Sequence, residues 1–139
     1  VAELLLSHGA AVNQTIEIGQ TALHVAAHYG HRKAAELLLS HGTEVNQTFE
    51  RGFTALHLAA EQGQRSVAEL LLSHGAAVNQ TIEIGQTALH VAAHYGHRKA
   101  AELLLSHGTE VNQTFERGFT ALHLAAEQGQ RSVAELLLS

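Results

Sequence analysis

The chain has 139 residues, enough for one domain with a core of its own. Its formal charge is −5 and only 15% of its residues are charged, which argues against the basic stripe that a phosphate-tracking surface needs. Cysteine is absent, excluding disulfide and thiolate chemistry within these residues, and no apolar run approaches the ~20 residues of a membrane-spanning helix.

In chain order, Val1 to Ser7 (VAELLLS) reads as a helix without the helix that should precede it. Thr21 is placed to cap a short helical run from Ala22 to Tyr29, and Gly30 ends that run. A second run spans Arg32 to His41, with Gly42 as its stop. Its Ala34, Ala35, Leu37, Leu38 and Leu39 cover more than one helical stripe, so this helix must be packed on more than one side. The small Ala26-Ala27 pair on the first helix allows close approach by another helix. From Thr43 to Phe53 there is no helical period, and Gly52 marks a turn. The remaining residues restate this order of helix, turn, helix and extended loop.

The restatement is periodic. Shifted by 66 residues, the chain matches itself at all 73 overlapping positions, and residues 1–33 agree with residues 34–66 at 22 of 33. Two unit types therefore alternate. Starting at Gly19, Gly52, Gly85 and Gly118, each unit carries G-x-T-A-L-H-x-A-A-x-x-G, followed in the complete units by E-L-L-L-S-H-G-x-x-V-N. This pattern resembles the ankyrin repeat, a 33-residue unit built around T-P-L-H-x-A. Two departures stand out. Ala22, Ala55, Ala88 and Ala121 replace the usual proline, and Ile16, Phe49, Ile82 and Phe115 replace the usual loop-tip aspartate.

The resemblance implies an all-α fold, an ankyrin-repeat solenoid of stacked helix-turn-helix units with hairpin-like loops. The expected domain is one array over 1–139, with a partial repeat 1–15, repeats 16–48, 49–81 and 82–114, and a truncated repeat 115–139. It implies a gently curved rod with loops and first helices on the concave side, where the family's protein partners make contact. The positions so implied are Ile18, Gln20, His28 and Tyr29 on one unit and Arg51, Phe53, Glu61 and Gln62 on the next. Their copies are Ile84, Gln86, His94, Tyr95, Arg117, Phe119, Glu127 and Gln128. Differences between the two unit types fall partly on this face, and Tyr29 and Phe53 are aromatic anchors of the kind that dominate interfaces.

Other chemistry finds little footing. His24 and His28 share a helical face as zinc ligands do, but Val25 stands where a metalloprotease helix has glutamate, and Gly30 is expected to turn His31 away. By resemblance, the T-A-L-H histidine is structural and bonds near the capping threonine. Asn13, Asn46, Asn79 and Asn112 head Asn-Gln-Thr sequons, but the resemblance assigns the Val-Asn pair to packing between repeats. The glycines form no phosphate-binding loop, Glu36 and Glu44 form no acid–base pair, and Ser40 beside His41 is not expected to face it. No catalytic residue, metal or cofactor is expected.

The expected function is a non-enzymatic scaffold for binding another protein, without nucleic acid or membrane insertion. With no secretory or transit signature in these residues, an intracellular, cytoplasmic setting is expected. The alternative is a structural or self-assembling element, a spring or head-to-tail filament. It follows from the identity of the terminal segments, since Val133 to Ser139 of one chain would keep the register if it replaced Val1 to Ser7 of the next.

Overall fold

The computed structural model describes residues 2–7 and 21–139, which leaves Ile18 and Gln20 outside the described residues. Among the described residues the structure is wholly helical, with no strand. A short helix α1 (Ala2–Ser7) is followed by four helical hairpins. These are α2 (Ala22–Tyr29) with α3 (Arg32–Ser40), and α4 (Ala55–Gln62) with α5 (Arg65–Ser73). Then come α6 (Ala88–Tyr95) with α7 (Arg98–Ser106), and α8 (Ala121–Glu127) with α9 (Arg131–Leu138). The run expected to reach His41 ends one residue earlier, with His41 as its C-cap.

Each first helix starts the same way. Thr54 sits in extended backbone at φ −104°, ψ 172°, its hydroxyl accepts from the His57 amide, and the His57 ring reaches back to the Thr54 amide. This reciprocal cap uses histidine where the usual capping box has Glu or Gln. Because the next residue is the first in the helix, its N–H is not needed within the helix, and its predecessor is already in the backbone region that proline requires. At Ala22, the exposed member of the set, Ala22→Pro is expected to stabilise the protein by about 0.4–1 kcal/mol through the unfolded chain. Urea denaturation checks this; a lower midpoint at unchanged slope would contradict it.

The hairpins close with glycine in the left-handed region, and Gly63 shows why glycine is favoured there. Its φ is +69°, and a Cβ there would lie 2.6 Å from the His97 ring of the next hairpin. Packing then runs in two rows. The first helices α2, α4, α6 and α8 touch in succession, as do the second helices α3, α5, α7 and α9, and α1 packs on α3. Ala27, Ala59, Ala60, Ala92 and Ala93 are fully buried, which lets first helices approach closely.

The second helices show what stacking does. The identical segments at 1–7, 67–73 and 133–139 place Leu5, Leu71 and Leu137 at one register position. Leu71, with a hairpin on each side, is fully buried, whereas Leu5 is 56% exposed and Leu137 is intermediate. Sequence alone does not bury this side chain; a neighbour on each side does.

Candidate protein-interaction surface

The loops are positioned by hydrogen bonds that cross from one hairpin to the next. His57 Nδ1 accepts from the Thr54 amide at 3.1 Å, so its proton sits on Nε2, which donates to the Gln80 carbonyl at 2.9 Å. The same arrangement joins His24 to the Gln47 carbonyl and His90 to that of Gln113, both at 2.8 Å. These histidines are structural, as the resemblance implied. Burial holds all three below the ordinary imidazole value, against the opposing pull of the carbonyls they bond; His57 is taken down to about 4.

Asn13 lies outside the described residues, but two other sequon asparagines, Asn46 and Asn79, are occupied in packing. Asn46 Oδ1 accepts from the Ala77 amide at 2.9 Å, and Asn79 Oδ1 accepts from the Glu110 amide at 3.2 Å. Each thereby ties one loop to the next.

One expectation at a single residue needs correction, and one position has a role the sequence did not show. His97, the copy of His31, caps α7 behind Gly96 and faces the preceding hairpin, donating from Nε2 to the Glu61 carbonyl at 2.9 Å. Gln64 and Gln130, at the same place in the other unit type, donate to the carbonyls of His28 and His94 at 3.3 and 3.1 Å. All three satisfy orphan carbonyls at the C-terminus of the neighbouring first helix. Ser40 Oγ does lie 3.3 Å from His41 Nδ1, because His41 has left the helix. Yet Ser40 Oγ and His41 Nδ1 lie 2.7 and 3.0 Å from the same Leu37 carbonyl, so the hydroxyl is engaged there and is not set up for attack.

The loop tips carry a role that the sequence reading missed. Phe49 packs its ring 4.8 Å from that of His24, and Phe115 stands 5.0 Å from His90. At the equivalent position Ile82 is 6% exposed. The apolar residues in the aspartate position are thus part of the packing and, at two tips, cover the histidine of the preceding hairpin. The signal in the sequence was that both replacements, Phe and Ile, are large and apolar.

The tips themselves take two conformations. Arg51 and Arg117 lie at φ +63° and +62°, a left-handed backbone that costs a non-glycine residue of order 1 kcal/mol. Ile84, at the matching position, does not enter that region, because a β-branched side chain clashes there. The strained turn has a use: the Arg51 carbonyl accepts from the Glu83 amide at 2.8 Å, which registers one tip against the next.

Among the described residues, three grooves lie in a row between the tips and the first helices. The first, of 290 Å³, is lined by His28, Phe49, Glu50, Arg51, Phe53, Leu58 and Glu61. The second, of 360 Å³, is lined by Arg51, Phe53, Glu61, Ile82, Glu83, Ile84, Gln86, Val91, His94 and Tyr95. The third, of 330 Å³, is lined by Ile84, Gln86, His94, Phe115, Glu116, Arg117, Phe119, Leu124 and Glu127. Of the sequence-derived positions, Tyr29, Gln62 and Gln128 are exposed but line none of these three. Among the described residues no His, Asp, Glu or Cys cluster is arranged to hold a metal.

The family model for ankyrin repeats matches residues 1–82 and 80–139, in three copies. The chain belongs to the ankyrin-repeat family. Ankyrin repeats generally mediate protein–protein interaction, and the two rows of helices, the T-A-L-H caps and the projecting tips are this chain's version of that module. Comparison with curated proteins gives no match. No helix among the described residues of this ankyrin array is long and apolar enough to cross a membrane.

Proposed function

We propose that this ankyrin array is a non-enzymatic scaffold that binds another protein along its tips and first helices, on the concave face. One observation carries the reading: every residue lining the three grooves belongs to a tip or a first helix, and none to a second helix. The second helices instead carry solvated ion pairs between Arg32 and Glu36, Arg65 and Glu69, and Arg98 and Glu102, at 3.0, 3.6 and 2.8 Å.

Phe53, Phe119 and Tyr95 are the aromatic anchors of the proposed surface. Arg51, Arg117, Glu61 and Glu127 set its charges, and Ile84, Gln86, His28 and His94 complete the lining. The test is a random linear peptide library selected on the chain. Selected peptides are expected to lose at least about tenfold in affinity on Phe53→Ala with Phe119→Ala, since truncating an interface anchor costs ~1–2 kcal/mol or more. They should be unaffected by Lys33→Ala with Lys99→Ala on the second helices. The reverse pattern would overturn the reading.

The self-assembling alternative stands as a second reading because the chain matches itself exactly at a shift of 66 residues, so the surfaces that meet at one junction recur at another. Sedimentation as one compact monomer at every concentration would remove it.

A further inference from the structure

The first and third grooves are the same groove. Every residue that lines the first has an identical counterpart 66 positions on, and all of those counterparts line the third. Phe53 recurs as Phe119, Arg51 as Arg117, and Glu61 as Glu127. Between the two lies the second groove, where Ile84 and Tyr95, 52% and 50% exposed, form an apolar path from one copy to the other.

A surface that repeats by translation offers one chemistry twice at a fixed step. With neighbouring helices about 8–10 Å apart, two hairpins advance ~16–20 Å. An extended chain, at about 3.3 Å per residue, covers that distance in five or six residues. A helical segment, at 1.5 Å per residue, would need about eleven to thirteen residues for the same step and would turn only every third or fourth side chain to the row, whereas an extended segment reaches both copies with a shorter element and turns every second side chain to it.

The chemistry of each copy is also legible. Phe53 and Phe119 are half-buried and line their grooves, an apolar surface suited to an apolar side chain. Each groove sets two carboxylates against one guanidinium: Glu50 and Glu61 against Arg51, repeated 66 residues later. That excess, with the chain's charge of −5, favours a basic neighbour for the apolar side chain.

We infer that the partner is an extended polypeptide segment carrying one short element twice, an apolar residue beside Lys or Arg, about six residues apart. The inference rests on the proposal that the groove face binds a protein partner. It is tested with labelled peptides in a Gly/Ser background bearing one Leu-Lys pair, or two pairs offset by three, six or eleven residues. Fluorescence anisotropy gives their affinities for the intact chain.

Simultaneous engagement of two sites raises affinity only when the linker spans them. The three-residue offset reaches ~10 Å and should bind like the single pair. The six-residue offset should bind at least about tenfold tighter, and Phe119→Ala should return it to the single-pair level. Equal affinity at offsets of three and six, a gain that first appears at eleven, or a gain that survives Phe119→Ala would overturn the inference. So would failure of all these peptides to bind while library-selected peptides still bind through Phe53 and Phe119. If those selected peptides also ignore Phe53 and Phe119, the groove reading itself falls.

Discussion

Lowering the pH from 7 to 5 is expected to remove at least about 2 kcal/mol of folding stability, with His57 as the largest single cause. Its ring is 1% exposed and its two nitrogens are committed, Nδ1 as acceptor from the Thr54 amide and Nε2 as donor to the Gln80 carbonyl. A second proton on Nδ1 would face an N–H donor in a dry site. The folded value is therefore about 4, against an ordinary 6.5. The unfolded chain takes up its proton first. The stability this group contributes is complete above 6.5 and is lost as the pH falls from there to about 4. His24 and His90, lowered by the same burial, add in the same direction. Urea midpoints across the range, together with ring resonances of the folded protein, check this. Folded-state protonation of these rings near 6.5, with flat stability, would contradict it.

Leu71→Ala is expected to cost about 2–5 kcal/mol, whereas Leu5→Ala should stay within ~0.5 kcal/mol. The two residues occupy the same place in the same seven-residue sequence, and only their neighbours differ. Leu71 is enclosed by α3 and α7 on either side of α5, so its truncation leaves a cavity that the flanking helices hold open. Leu5 is 56% exposed, so its removal exposes little new surface. Leu137, on α9 with α7 as its inner neighbour, should fall between them. Equal costs at all three positions would mean that each hairpin is stable alone and that stacking adds nothing at this register position.

Local features were the most legible in the sequence. Thr54 and His57 are three residues apart, so their reciprocal cap can be read from one turn of helix, and Gly63 signals its own left-handed turn. The A-L-H runs and the internal L-L-L runs also marked the core, because their apolar residues exceed a single stripe, but the same L-L-L run leaves Leu4, Leu5 and Leu138 exposed on α1 and α9. What escaped notice depends on contacts between residues about a repeat apart. His97 and Gln64 look unrelated as side chains, yet both carry an N–H that reaches the previous helix's last carbonyls. Phe49 looked like a tip that had lost its turn residue, and only the register of one hairpin on the next puts it over His24. The different turns of Arg51 and Ile84 follow from β-branching, which a reading by resemblance averages away. The grooves were anticipated only residue by residue. That they form a row, with the first repeated as the third, requires the stacking.

Because the chain has no cysteine, one substitution supplies one labelling site. An environment-sensitive fluorophore on Ile84→Cys would stand at the rim shared by the second and third grooves, and the same fluorophore on Lys99→Cys would stand on a second helix. Both parent side chains are exposed, so neither change should disturb the fold by more than about 0.5 kcal/mol. On saturation with a library-selected peptide, emission from the label at position 84 is predicted to shift while that at position 99 stays constant. A shift at position 99 with none at position 84 would contradict the assignment of the tip and first-helix face as the recognition surface.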